Sequence, residues 1–216
     1  MNTILIFFFQ LAILLFSVII HEVSHGLVAL RLGDDTARRA GRLTLNPIKH
    51  LDPIGSFLLP LLLIMTGSSI ILGWAKPVPY NPNYLHKDYK YGPLKVALAG
   101  PGSNLAVAVI FSLLIRIGAS FMSGIIISML AFVVFLNILL AVFNLVPIPP
   151  LDGSKILTAF LPPEYAFRIE RMGLWGMALI LVFLFFFFPL IANITSYLFS
   201  IMVGPAGISA LSGLFQ

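Results

Sequence analysis

The chain has 216 residues, of which 59% are hydrophobic and only 10% are charged. A soluble domain typically has about 25% charged residues, so this composition excludes an ordinary soluble protein and indicates a polytopic membrane protein. Cysteine is absent, which excludes disulfides and thiolate metal sites, and the net charge of +5 comes from basic residues in loops rather than from a nucleic-acid surface. Without a long polar stretch, residues 1–216 are interpreted as a single membrane-embedded domain.

The first apolar run, from residue 3 to about residue 30, carries the HExxH sequence of residues 21–25. A spanning helix needs about 20 apolar residues, so this run is long enough. Ionisable side chains at membrane depth cost roughly 2.5–3.5 kcal/mol each and usually mark function. His21 and His25 share one helix face, so both imidazoles can bind one Zn²⁺, with Glu22 beside it as general base.

A polar and basic segment follows, in which residues 42–45 alternate like a short strand. The next apolar run, 54–72, is a marginal candidate for a spanning helix, because Pro60 interrupts it near the front and residues 66–69 interrupt it near the back. Two clear runs then cover about 93–117 and 125–146. The last block, 172–215, is long enough for two spans divided at Pro189 and Asn193. The predicted fold is therefore all-α, with about five to six transmembrane helices, a re-entrant segment and a short membrane-associated β element.

A catalytic zinc keeps three protein ligands. Among the acids, only Glu22 and Asp152 lie inside or at the ends of clearly apolar runs, so Asp152 is the predicted third ligand. The histidine pair and Asp152 both lie at the C-terminal ends of their runs, so these two helices must cross the membrane in the same direction. For these two helices to run in the same direction, segment 54–72 must re-enter the membrane from one side rather than cross it.

The distribution of charge agrees with this topology. Nine basic residues from Arg31 to Lys95, with Lys155, Arg168 and Arg171, fall on the side of the metal site, and only Arg116 falls on the other side. The positive-inside rule makes the metal side cytoplasmic and places the N-terminus outside. His50 and His86 lie in polar loops and are predicted to be solvated.

Peptide hydrolysis also needs a donor for the tetrahedral oxyanion. Asn144 ends an apolar helix eight positions before Asp152 and is the best candidate, although it could equally bond a neighbouring helix. A helical substrate must unwind before its backbone can be attacked. Its extended backbone could then pair with an edge strand at 42–45, so Leu43 and Thr44 are predicted substrate contacts.

Four segments together resemble the site-2 proteases, which are intramembrane zinc metalloproteases. They are HEVSH at 21–25, GPGSN at 100–104, NLVPIPPLDG at 144–153 and GRLTLNPIKHLDPIG at 41–55. The resemblance covers about residues 10–160 and implies a core of three transmembrane helices with a cytosolic site. The chain departs from many members in having no PDZ or CBS domain.

The resemblance assigns roles to particular residues. It implies His21, His25 and Asp152 as ligands of one zinc ion, with Glu22 as the base. Asn144 and Asn104 would serve substrate or oxyanion binding. For Asn104 a structural role is the alternative, because the preceding Gly-Pro-Gly also favours close helix packing.

These observations predict a zinc endopeptidase in the plasma membrane. It would cleave transmembrane or membrane-proximal segments of other membrane proteins within the lipid bilayer. The rival interpretation is a metal-binding membrane protein without hydrolytic activity, such as a transporter or an inactive scaffold. Glu22 separates the two, since hydrolysis requires a base and metal binding alone does not. Two imidazoles and one carboxylate suit zinc or iron.

Overall fold

The computed structural model describes residues 3–58, 61–62, 65 and 75–212, and the elements in this part of the chain are helical. The α-helices are α1 (Thr3–Leu32), α2 (Thr36–Arg39), α3 (Gly92–Gly118), α4 (Gly124–Asn144), α5 (Asp152–Thr158), α6 (Pro163–Glu170) and α7 (Leu174–Ser212). Shorter helical turns at Pro47–His50, Pro53–Leu58 and Pro82–Tyr84 lie between α2 and α3. By length and composition, α1, α3, α4 and α7 could each cross a membrane.

Helix α3 occupies the centre of the bundle, where it packs against α1, α4, α5 and α7. Ala108 in its middle is completely buried, as is Ala131 on α4. Small residues let membrane helices approach closely and so strengthen their packing. Larger side chains, including Ile115 and Phe199, fill the apolar cluster where α3, α4 and α7 meet. Helix α3 is therefore the scaffold that positions α1 and α5.

The chain leaves α1 and enters α3 at the same end of the bundle. The N–H of Lys87 donates to the carbonyl of Leu32 (3.1 Å), and Leu85 packs with Ala29 and Val96 of the two helices. Helix α4 then runs back to this end before α5 begins. This arrangement agrees with the prediction that α1 and α4 run in the same direction. The re-entrant segment predicted at 54–72 lies largely outside the described residues.

The β element predicted at residues 42–45 is not confirmed, because these residues form an irregular loop. A strand exchanges hydrogen bonds with a neighbouring strand, whereas this backbone is held in other ways. The N–H of Arg42 donates to the carbonyl of Ala37 (3.0 Å), and the carbonyl of Thr44 accepts from His50 Nε2 (2.8 Å). The prediction that His50 is solvated was wrong, since its ring is buried and makes this hydrogen bond within the loop.

The last apolar block is not divided at Pro189 and Asn193, where the prediction placed the division. Helix α7 continues through both positions, and its backbone leaves helical values at Gly204 (φ 69°, ψ −171°), just before Pro205. A proline removes one hydrogen bond from a membrane helix without ending it, whereas a positive φ turns the chain. The described residues thus contain four candidate spans, fewer than the five to six predicted.

Arg116, the basic residue predicted on the far side of the membrane, fastens α3 to this bend in α7. Its Nε donates to the carbonyl of Met202 (2.6 Å), and its Nη2 donates to the carbonyl of Ile201. In a regular helix the carbonyl of Ile201 would accept from residue 205, which is a proline and has no N–H. The guanidinium therefore supplies donors where the bend has removed them.

Replacing Arg116 by Leu is expected to lower the free energy of unfolding by about 2–3 kcal/mol, because two carbonyls lose a charged donor. Arg116→Lys should recover only part of this loss, since an ammonium lacks the fork of a guanidinium. Thermal unfolding in detergent micelles measures both effects, with exposed Arg168→Leu on α6 as the control. Equal unfolding temperatures for Arg116→Leu and the unchanged protein would contradict the assignment.

Candidate functional site

The three predicted metal ligands meet at one point beside α3. His21 and His25 lie one turn apart on α1, and Asp152 is the first residue of α5. Asp152 Oδ2 lies 3.0 Å from Nε2 of each histidine, and the two Nε2 atoms are 3.1 Å apart. All three side chains are buried. Folding thus brings together residues that are far apart in the sequence.

The outer nitrogen of each imidazole is bonded to an acceptor. His21 Nδ1 donates to Asn104 Oδ1 (2.6 Å), and His25 Nδ1 donates to the carbonyl of Val96 (2.6 Å). A neutral imidazole carries one N–H, so both Nε2 atoms present lone pairs toward Asp152. Three electron-rich atoms this close repel one another unless a cation lies between them. The donor chemistry therefore fits a bound metal ion.

The space between the three atoms also fits an ion of the size of zinc. Ligand atoms about 2.0–2.2 Å from a tetrahedral zinc are roughly 3.3 Å apart, and the observed separations are 3.0–3.1 Å. Gly100 on α3 leaves this space open, because a Cβ atom there would lie 2.3 Å from His25 Nε2 and 2.5 Å from His21 Nε2. Two imidazoles and one carboxylate, with one position open, form a donor set typical of catalytic zinc.

Asp152 reaches the histidines because α5 begins against the turn that follows α4. Gly153 allows this approach, since a Cβ there would lie 2.3 Å from the carbonyl oxygen of Leu145. The other carboxylate oxygen, Oδ1, accepts from Lys155 Nζ (3.3 Å). Burial alone would lower the pKa of Lys155, but the adjacent Asp152 carboxylate raises that pKa above its usual value, so the ammonium stays charged.

Glu22, the predicted base, follows His21 on α1 and is held by the backbone of a distant segment. Its Oε2 accepts from the N–H of Val78 (2.8 Å). Residues 75–80 have no regular secondary structure, and Val78 stands between two prolines, which have no N–H. Arg42 fixes this segment by donating to the carbonyl of Lys76 (2.6 Å). Sequence reasoning missed this contact. The available signal was Val78 itself, whose N–H is a single backbone donor between two prolines and therefore needs an acceptor.

The described contacts of Asn144, Leu43 and Thr44 include no hydrogen bond to the three ligands. Asn144 Nδ2 donates to the carbonyl of Leu140 in its own helix (2.9 Å). Leu43 faces α1, where a Cβ added to Gly26 would lie 2.6 Å from Leu43 Cδ2. Thr44 Oγ1 accepts a backbone N–H two residues later (3.2 Å). Their roles toward the oxyanion and the substrate stay predictions.

Asn104 is completely buried, and both ends of its amide are bonded within the protein. Its Oδ1 accepts from His21, while its Nδ2 donates to Asn137 Oδ1 (2.8 Å) and to the carbonyl of Ser17 (3.3 Å). This arrangement favours the structural alternative for Asn104. Sequence reasoning missed Asn137 and Ser17, although a polar side chain among apolar residues of a membrane helix was the available signal.

The comparisons with known proteins agree with this site. The model of the family described as "Peptidase family M50" matches residues 9–186. "Putative zinc metalloprotease YwhC" of Bacillus subtilis is 40% identical over 177 residues, which cover 78% of this chain and 76% of the relative. "Putative zinc metalloprotease Rip2" of Mycolicibacterium smegmatis is 35% identical over 214 residues, which cover 90% of this chain and 78% of the relative.

No solved structure matches the chain significantly. The family match spans α1 through α5, and so includes the histidines, Glu22, Gly100 and Asp152. Within the part of the chain that the structure describes, four apolar helices are long enough to cross a membrane. The chain belongs to peptidase family M50, the site-2 protease family.

Proposed function

We propose that this protein is a zinc metalloendopeptidase that hydrolyses peptide bonds in or near transmembrane segments of other membrane proteins. The observation that carries the proposal is the meeting of His21, His25 and Asp152 within 3.1 Å of one another, with Glu22 next to His21. A base beside a metal site favours hydrolysis over the rival functions of a scaffold or a transporter. Names of the relatives support a metallopeptidase at the level of the family.

The proposed reaction divides its tasks among the residues of the site. His21, His25 and Asp152 would hold a zinc ion, which would act as a Lewis acid and lower the pKa of a bound water to about 7. Glu22 accepts a proton from the attacking water and passes it to the leaving amine. Asn144 is the proposed oxyanion donor. In this role its Nδ2 would release the carbonyl of Leu140 and donate to the substrate oxyanion instead.

Substrate binding is proposed to use the loop beside α1. Leu43 and Thr44 would contact an unwound substrate segment, whose extended backbone needs partners for its hydrogen bonds. Asn104 would act on the substrate indirectly, by orienting His21. The basic residues at the end of the bundle that holds the site support a cytoplasmic active site in the plasma membrane, with the N-terminal end of α1 outside.

Replacing Asp152 by Ala is expected to reduce zinc content from one ion per chain to well below one, because two imidazoles alone leave the site a ligand short. The matched control is Asp88→Ala, which removes a half-buried carboxylate that pairs with Lys95 and is not one of the three ligands. Metal analysis of both variants, purified in detergent, measures the difference. Unchanged zinc stoichiometry in Asp152→Ala would remove this residue from the ligand set.

The proposed activity is tested with the unchanged protein in liposomes that contain a transmembrane reporter protein. Cleavage that a zinc chelator stops and added zinc restores is the expected result. A zinc-loaded protein that leaves a panel of such reporters intact would favour the scaffold or transporter.

A further inference from the structure

We propose that Asn137, in the middle of α4, is a positioning residue for the metal centre. It holds Asn104 in the one orientation that leaves His21 Nε2 free to bind a metal ion. The inference rests on the proposed zinc site and adds a residue on α4, whose described hydrogen bonds include none to the three ligands.

A continuous chain of hydrogen bonds connects Asn137 to the ligand. Its Oδ1 accepts from Asn104 Nδ2 (2.8 Å), and Asn104 Oδ1 accepts from His21 Nδ1 (2.6 Å). On the other side, Asn137 Nδ2 donates to Ser17 Oγ (2.9 Å) and to the carbonyl of Val133 (2.9 Å). Both asparagines are completely buried, so water does not replace these partners. The chain joins α1, α3 and α4.

The direction of this chain is set by a backbone carbonyl. The oxygen of Val133 can only accept, so the amide of Asn137 must turn its nitrogen toward it and its oxygen toward Asn104. Asn104 must then present its nitrogen to Asn137 and its oxygen to His21. An oxygen facing Nδ1 requires the imidazole proton there, which leaves the lone pair on Nε2 directed at the metal position.

Without Asn137, that direction is imposed only by the longer bond from Asn104 Nδ2 to the carbonyl of Ser17 (3.3 Å). The Asn104 amide could rotate by half a turn and face His21 Nδ1 with its nitrogen, which favours the imidazole tautomer whose proton lies on Nε2. That proton would occupy the position of the metal. Partners of this kind, which hold the outer nitrogen of a ligating histidine, typically change metal affinity by about 10–100-fold when they are removed.

A role limited to joining helices makes a different prediction. Buried amides do stabilise membrane helix bundles, so loss of Asn137 would lower stability in either case. Only a positioning role ties the metal affinity to the oxygen that faces Asn104. Two substitutions at this position therefore separate the alternatives, since Leu removes that oxygen and Asp retains it.

The test measures zinc affinity of folded protein in detergent, by competition with a chromophoric chelator, and the visible spectrum after cobalt substitution. Asn137→Leu is expected to weaken zinc binding about 10–100-fold and to alter the cobalt spectrum. Asn137→Asp is expected to bind zinc within a few-fold of the unchanged protein, despite lower stability from its buried charge. Asn137→Ala takes the place of the Leu variant if that variant does not fold.

Ser128→Ala is the matched control. Ser128 also lies on α4 and joins it to another helix, by donating to the carbonyl of Ala210 on α7 (2.8 Å). This control should lower the unfolding temperature and leave zinc affinity unchanged. Zinc affinities that are equal in Asn137→Leu and the unchanged protein would overturn the inference alone. An unchanged protein that binds no zinc would overturn the proposed function together with it.

Discussion

Replacing Glu22 by Gln is expected to abolish reporter cleavage while zinc binding is retained. Gln has nearly the same shape as Glu and can still accept from the N–H of Val78, but its amide cannot take a proton from water. General acid–base catalysis typically contributes about 10²–10⁴-fold to the rate, so cleavage should fall at least that far. Reporter cleavage in liposomes measures the loss of activity, and metal analysis of the same preparation measures the zinc that is retained.

Glu164→Gln is the control for this experiment, since it makes the same change on α6 at an exposed position outside the site. It should cleave at the rate of the unchanged protein. Full cleavage by Glu22→Gln would show that the base is another group. Loss of zinc in Glu22→Gln would instead show that Glu22 supports the metal site rather than the chemistry.

Replacing Gly100 by Ala is expected to lower zinc affinity by more than about 100-fold, beyond the usual range for residues outside the ligand set. The added Cβ would lie 2.3 Å from His25 Nε2 and 2.5 Å from His21 Nε2, which places a methyl group against the metal position itself. Both histidines have their Nδ1 atoms bonded, so neither ring can move aside without breaking a hydrogen bond. Zinc competition in detergent measures the loss.

Gly102→Ala is the matched control, because it lies on the same helix and a Cβ there meets nothing within 4 Å. It should keep full zinc affinity and an unchanged unfolding temperature. Zinc bound as tightly by Gly100→Ala as by Gly102→Ala would mean that the ion lies elsewhere. Such a result would count against the three-ligand site even if cleavage persisted.

The sequence carried enough information to predict that His21, His25 and Asp152 lie together in a candidate metal site. Spacing of four residues placed two histidines on one helix face, and the rarity of acids in apolar runs singled out Asp152. Both signals arise because charged and polar groups are costly inside a membrane and therefore have a reason to be there. The same cost made the direction of α1 and α4 predictable from the ends at which these residues lie.

Other features were beyond the reach of residue patterns. Alternation at 42–45 indicated a strand, but a loop formed because its backbone found partners in α2 and His50. Breaks were expected at Pro189 and Asn193, yet the bend formed at Gly204, where a donor from Arg116 compensates it. The loop contacts lie only a few residues away, but a pattern of alternating apolar residues does not reveal them. The Arg116 contact joins segments that are 85 residues apart in the chain.

The bond between Glu22 and Val78 has a consequence for mutational analysis of this protein. Its donor belongs to the main chain, so replacing Val78 by Ala, Leu or Thr leaves the N–H in place. An alanine scan would therefore record position 78 as tolerant and overlook the group that orients the carboxylate. Only a third consecutive proline, or an ester linkage introduced by chemical synthesis, deletes this donor without touching Glu22.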